Sequence, residues 1–171
     1  MSKLKLFIIS ANMLLVLLFF GFNIVKNEKV LSEGEIVLLE LRPVDPRSLM
    51  QGDYMTLRFE VCEHISGFEA ESNKFCVVRL DNDRVASFVR LTNDATETLK
   101  EDELLLRYSL EKNMWGRKFY YLGSDSYFFQ EGTGDKYVGA KYGLLKVVTE
   151  GEMIGTCSLV GLCDADKNLI K

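Results

Sequence analysis

Ser48 stands four residues before Gly52-Asp53, in a stretch that holds both prolines of the chain, Pro43 and Pro46. A serine becomes a nucleophile when a neutral lysine within hydrogen-bond reach takes its proton, and burial is what depresses a lysine's pKa far enough. Lys74, Lys118, Lys136 and Lys141 are the bases on offer, and nothing in the sequence distinguishes one of them. The same stretch has a simpler reading. Asp45 is a good helix N-cap and Pro46 a good first helical residue, which predicts one helical turn from Pro46 to Met50. Gly52-Asp53 then supplies the turn that launches the following strand. Capping and turn chemistry explain most of these residues without a reaction.

The other chemistry-bearing residues are sparse. His64 is the only histidine, which excludes a multi-histidine metal site and would rest any Ser-His-Asp triad on one residue. A surface histidine in a loop is expected. Gly132-Thr133-Gly134-Asp135-Lys136 lacks the spacing and the final Ser/Thr of a phosphate loop and reads as a turn. Asp164-Ala165-Asp166-Lys167-Asn168 opens like a calcium loop, but Leu169 stands where glycine is required, so a polar turn is expected. Neither a metal nor a cofactor site is predicted. The aromatic residues Trp115, Phe119, Tyr120, Tyr121, Tyr127, Phe128 and Phe129 fit core and cross-strand pairing better than a sugar platform.

Placement of these residues depends first on the N-terminus. Leu6 to Val25 is an uncharged run of twenty residues, and a helix of that length spans about 30 Å, the thickness of a hydrocarbon core. A cleaved signal has a shorter apolar run, about 7–15 residues, ending at a small-x-small site. Here Lys26-Asn27-Glu28-Lys29 follows instead, so an uncleaved anchor is predicted. The flanking charges nearly balance, Lys3 and Lys5 before and Lys26 and Lys29 after. A short basic lead-in normally stays in the cytoplasm, which puts the domain on the periplasmic side of the inner membrane. The expected division is thus 1–29, a single-pass signal-anchor with basic flanks, and 30–171, an extracytoplasmic domain.

Of the chain's 21 basic and 25 acidic residues, four and one respectively fall in residues 1–29, which leaves a net charge of −7 beyond. An acidic domain repels phosphate backbones, so nucleic acid is not an expected partner. The bilayer is, through Leu6–Val25.

The domain reads as all-β or β-dominated, α+β at most, built as a barrel or a folded antiparallel sheet. From Tyr54 to Cys62, Met55, Leu57, Phe59 and Val61 alternate with Tyr54, Thr56, Arg58 and Glu60, as in a half-buried strand. Phe75–Leu80 and Val85–Leu91 form a second pair around the turn residues Asp81-Asn82-Asp83-Arg84. Further strands are expected over 104–110, Phe119–Leu122, Tyr127–Phe129, Tyr142–Val148 and Met153–Leu162, with a short helix possible over Thr96–Glu101. Thr149–Glu152 reads as a hairpin connection, and His64–Asn73 as a loose acidic segment. Four cysteines outside the cytoplasm suggest disulfides. Cys157 and Cys163, in one strand, lie about 20 Å apart and cannot pair. Cys62 ends one strand and Cys76 opens the next, which predicts a bridge between them.

Gly52-Asp53-Tyr54-Met55-Thr56-Leu57-Arg58-Phe59 resembles the defining motif of the GDYxxLxY family of small membrane-anchored bacterial proteins. Pro43-Val44-Asp45-Pro46-Arg47-Ser48-Leu49, Phe128-Phe129-Gln130-Glu131-Gly132 and Ala140-Lys141-Tyr142-Gly143 are similar to the same family. Phe59 stands where the family name has tyrosine, so a packing role on the Leu57 face is open to it and a hydroxyl role is not. The resemblance implies an extracytoplasmic accessory or interaction domain working beside polytopic membrane proteins, and it supplies no reaction. Its site residues are then Pro43, Asp45, Pro46, Arg47, Gly52, Asp53, Tyr54, Leu57, Phe59, Glu131, Gly132, Tyr142 and Gly143, in structural or interaction roles. The alternative is an anchored serine–lysine peptidase of the signal-peptidase kind, with Ser48 as nucleophile. In that family the serine lies farther from its Gly-Asp, with a proline between them.

Overall fold

A computed structural model describes residues 3–42, 54–68, 74–114, 116, 118–123 and 125–171. It opens with one long helix, α1 (Lys3–Glu33), whose apolar residues are exposed almost throughout and which is long and apolar enough to cross a membrane. The helix runs on past Lys29. It continues to Glu33, and Gly34 passes the chain directly into β1 (Glu35–Glu40), a strand that the sequence pattern did not announce. The last turn of α1 is part of the domain. Val30 is only 1% exposed, and Lys146 Nζ donates to the Leu31 carbonyl at 2.5 Å. Gly34 lies so close that a β-carbon there would stand 2.5 Å from the Val30 carbonyl oxygen.

The remaining elements are β2 (Tyr54–Thr56), α2 (Glu60–Ser66), β3 (Phe75–Leu80), β4 (Ala86–Thr92), β5 (Glu103–Arg107), β6 (Ser109–Lys112), β7 (Lys118–Tyr121), β8 (Ser126–Phe128), β9 (Tyr142–Val147) and β10 (Cys157–Cys163). They form an α+β domain of antiparallel sheets. One sheet runs β1-β9-β10 and another β4-β3-β5; β2-β8 and β6-β7 are two-stranded ribbons. Among the described residues no sheet closes into a barrel, so of the two expected architectures the folded sheet is the one seen. A short link ties two of the sheets together: the Leu38 N–H of β1 donates to the Arg84 carbonyl, just before β4, at 2.9 Å.

The turn between β3 and β4 is built as its residues suggest. Asp81 Oδ1 accepts the N–H groups of Asp83 and Val85, while Arg84 takes a φ of 65°. Five expectations need correction. The Tyr54–Cys62 strand ends at Thr56, and Glu60–Ser66 is helical, so His64 sits on a helix and not in a loop. Thr96–Glu101 forms turns and no helix, and the 104–110 strand breaks at Tyr108 between β5 and β6. The strand expected from Met153 begins only at Cys157, after a 3-10 turn at Gly151–Met153.

One core joins these layers. Val37, Leu39, Leu145, Val147 and Leu162 face Cys76, Val78, Leu104 and Leu106 across it. Phe75, Val77 and Leu105 form a second, smaller cluster on the far side of β3. β3 is thus covered on both faces, which is why its sequence is a continuous apolar run and not an alternation.

Candidate functional site

The period-two pattern of the motif segment survives where its strand does not. Met55, Leu57 and Phe59 are buried while Thr56 and Arg58 are exposed. Phe59 then ends the extended backbone, and the helix that follows buries Val61 and Ile65, one turn apart. Phe59 is fully buried and is the reason Gly143 has no side chain: a β-carbon on Gly143 would lie 2.8 Å from the Phe59 ring. Tyr54 pairs in register with Phe128, their rings 5.6 Å apart. Three separated motif blocks therefore meet here, through Tyr54, Phe59, Phe128 and Gly143. Tyr142 heads β9 beside Glu40 and Cys163. Glu131 and Gly132 form an exposed turn, with Gly132 at a φ of 79°.

Between the motif segment and β7 lies a cleft of about 260 Å³. Thr56, Leu57, Arg58 and Phe59 make one wall, Phe119 and Tyr121 of β7 the other, and Cys62 and Glu63 of α2 contribute between them. Asp125 closes one end. Its carbonyl accepts the Leu57 N–H at 2.8 Å and its carboxylate the Gly123 N–H at 3.1 Å, so it is fastened to both sides. Glu63 is paired with Arg42 at 3.0 Å, and the Arg42 N–H donates to the Arg58 carbonyl. The cleft thus presents Arg58 and Lys118 beside Glu63 and Asp125 around an apolar and aromatic floor.

Burial, and then the nearby Asp125, Cys76 and Cys157, push the Cys62 thiol far above its ordinary range, so it is a neutral thiol and a poor nucleophile. His64 points elsewhere and stacks on Phe88 at 5.9 Å. Lys74, Lys118, Lys136 and Lys141 are all exposed, whereas a serine–lysine pair needs its lysine desolvated. Ser48 itself lies outside the described residues, as do Pro43, Asp45, Pro46, Arg47, Gly52, Asp53 and Trp115.

All four cysteines are free thiols, so the expected Cys62–Cys76 bridge is not formed in the structure. Cys62 is not at a strand end but in the first turn of α2, on the cleft, while Cys76 is buried in β3 with its thiol pushed up to about 12 by burial and Cys157. Cys157 and Cys163 do occupy one strand. Of the aromatic residues, Phe128 pairs across strands with Tyr54 and Tyr120 packs edge-on against Tyr108, whereas Tyr127 and Phe129 are neighbours along one segment and both meet Tyr137. The roles of α2, β7 and Asp125 in the cleft were missed. A signal for α2 was present, since Glu60 and Glu63 supply the acidic first turn and Val61 and Ile65 the four-residue spacing of a helix.

Among known families, the model of one described as GDYXXLXY protein matches residues 16–157. No curated protein matches the chain. No solved structure matches it either.

Proposed function

The chain belongs to the GDYXXLXY protein family, and from that premise we propose that it is a membrane-tethered accessory domain whose motif-lined cleft engages neighbouring envelope proteins. α1 is a permanent single-pass anchor in the inner membrane, its N-terminus is cytoplasmic, and the β-domain works on the periplasmic side. The observation that carries this reading is the continuity of α1 into the domain. A segment meant for removal has no reason to bury Val30 or to take a hydrogen bond from Lys146 on β9. Cutting near residue 29 would strip the turn that these groups hold. The cleft supports the binding half of the reading, because it offers charges of both signs and a neutral thiol but, among the described residues, no activated base.

Protease added to spheroplasts tests it. The domain should be digested, leaving a small stub in the membrane. A domain that is protected in spheroplasts and cut only after lysis would reverse the orientation, and a soluble full-length chain would remove the anchor.

A further inference from the structure

Resting on the reading of α1 as a retained anchor, we propose that one face of this helix docks against a transmembrane helix of another protein. The face consists of Asn12, Val16, Phe19 and Asn23, and the occupant is a helix that ends at the bilayer surface and offers Asn12 a hydrogen-bonding side chain. At about 100° per residue, these four residues lie within about 40° of Asn12 around the axis. Their 4-3-4 spacing is the seam of a packed helix pair. Lys5 and Lys26 continue the stripe at its two ends, while Leu14 lies on the opposite side.

The two asparagines differ. Asn23 Nδ2 donates to the Phe19 carbonyl at 2.8 Å, within its own helix. The Asn12 side chain makes no hydrogen bond among the described residues. It lies about 9 Å from the start of the uncharged run and about 20 Å from Val25, inside the hydrocarbon layer. No water reaches that depth, and its own helix does not take up its carboxamide as it does that of Asn23, so a neighbouring helix is the partner it is placed to meet.

The top of the helix decides which polypeptide. Val30 follows Asn12 by eighteen residues, five whole turns, and so lies on the same face. That face is already covered there by the chain's own sheet, through β9 and β10. A second parallel copy seated on the stripe would bring its last helical turn to the place these strands occupy. A helix that stops near the level of Lys26 meets no such obstruction, and its outer end lies beneath the domain. The occupant is therefore a membrane-spanning segment of a different protein.

The test uses the full chain in native membranes, with a photo-crosslinking residue placed at Val16 or at Leu14. Position 16 should give an adduct whose crosslinked peptide maps to a hydrophobic segment of one polytopic protein, and position 14 should give little. Asn12→Leu should lower that adduct roughly three- to thirtyfold, the range one interhelical side-chain hydrogen bond supplies, and Asn12→Gln should restore most of it. Equal adducts from both positions, an adduct only with a second copy, or indifference to Asn12→Leu would overturn the proposal. An alkaline wash separates the two ways to fail. A chain released by it refutes the anchor and the stripe together, whereas a retained chain without an Asn12-dependent adduct refutes the stripe alone.

Discussion

The β4-β3-β5 sheet and the β2-β8 ribbon are built on opposite rules. In the sheet, Cys76, Val77 and Val78 are fully buried, and the one buried charged side chain among the described residues, Glu103, sits among Arg79, Arg90 and Lys100. In the ribbon, β2 is three residues long with a single partner, Phe128 is 72% exposed, and the flanking charges line a cleft open to solvent. Apolar burial, and the stability it brings, is concentrated in the first region, while the second is left open to solvent. Met55, Leu57 and Phe59 fasten the two, since they belong to the motif yet lie in the common core, Phe59 the most deeply.

Phe59→Ala should therefore erase the contrast by loosening both regions at once. A loss of about 3–5 kcal/mol is expected for a buried phenylalanine, read from denaturant unfolding of the detergent-solubilised chain. Gly143→Val comes next, at about 1–3 kcal/mol, because it drives a side chain into the Phe59 ring. Combined with Phe59→Leu its cost should shrink. Additivity of the two changes would mean that the close approach does not couple them.

The sheet's ion network predicts a pH dependence. Burial pushes the Glu103 carboxyl up, but the Lys100 N–H and the Arg90 guanidinium outweigh it and hold the group below its ordinary value of 4.5. A depressed folded-state pKa means stability that is complete above the unfolded value and lost as pH falls through the folded one. Thermal midpoints should hold steady above about pH 5 and drop at more acid pH, with a shallower drop in Glu103→Gln. An unchanged acid limb in that variant would remove Glu103 from the account. Glu97 and Asp94 are shifted in the same direction, so part of the acid dependence should persist.

The smallest effect on folding belongs to the cleft. Arg58→Ala should alter stability by no more than about 0.5 kcal/mol, as exposed substitutions do, while weakening retention of whatever the cleft binds. A large loss of stability with unchanged binding would make the open region structural like the other.

Much of this division was legible in the sequence, and what was not has physical causes. Leu6–Val25 needs no tertiary context to read as a membrane helix, and β3 and β4 carry their own turn chemistry at Asp81–Arg84. The motif segment misled because Met55, Leu57, Phe59 and Val61 keep a period of two up to the point where Val61 and Ile65 begin a helical one. Strand and helix patterns coincide at Val61, and the short acidic helix was read as an extension of the strand. The Cys62–Cys76 bridge was inferred from that same misplaced strand. β1 was missed for a different reason: Ile36–Leu39 is an apolar run with no alternation, and only pairing with β9 makes it a strand. The cleft depends on β7 and Asp125, more than fifty residues away in sequence, so no local pattern announces it.

The claim on which the rest depends is that α1 is never removed and that its last turn belongs to the domain. Intact-mass measurement on the chain recovered from alkali-washed membranes tests this most directly. The account predicts a mass that still includes Lys3 and Lys5. A mature product lacking roughly thirty N-terminal residues, as after signal cleavage, would contradict it.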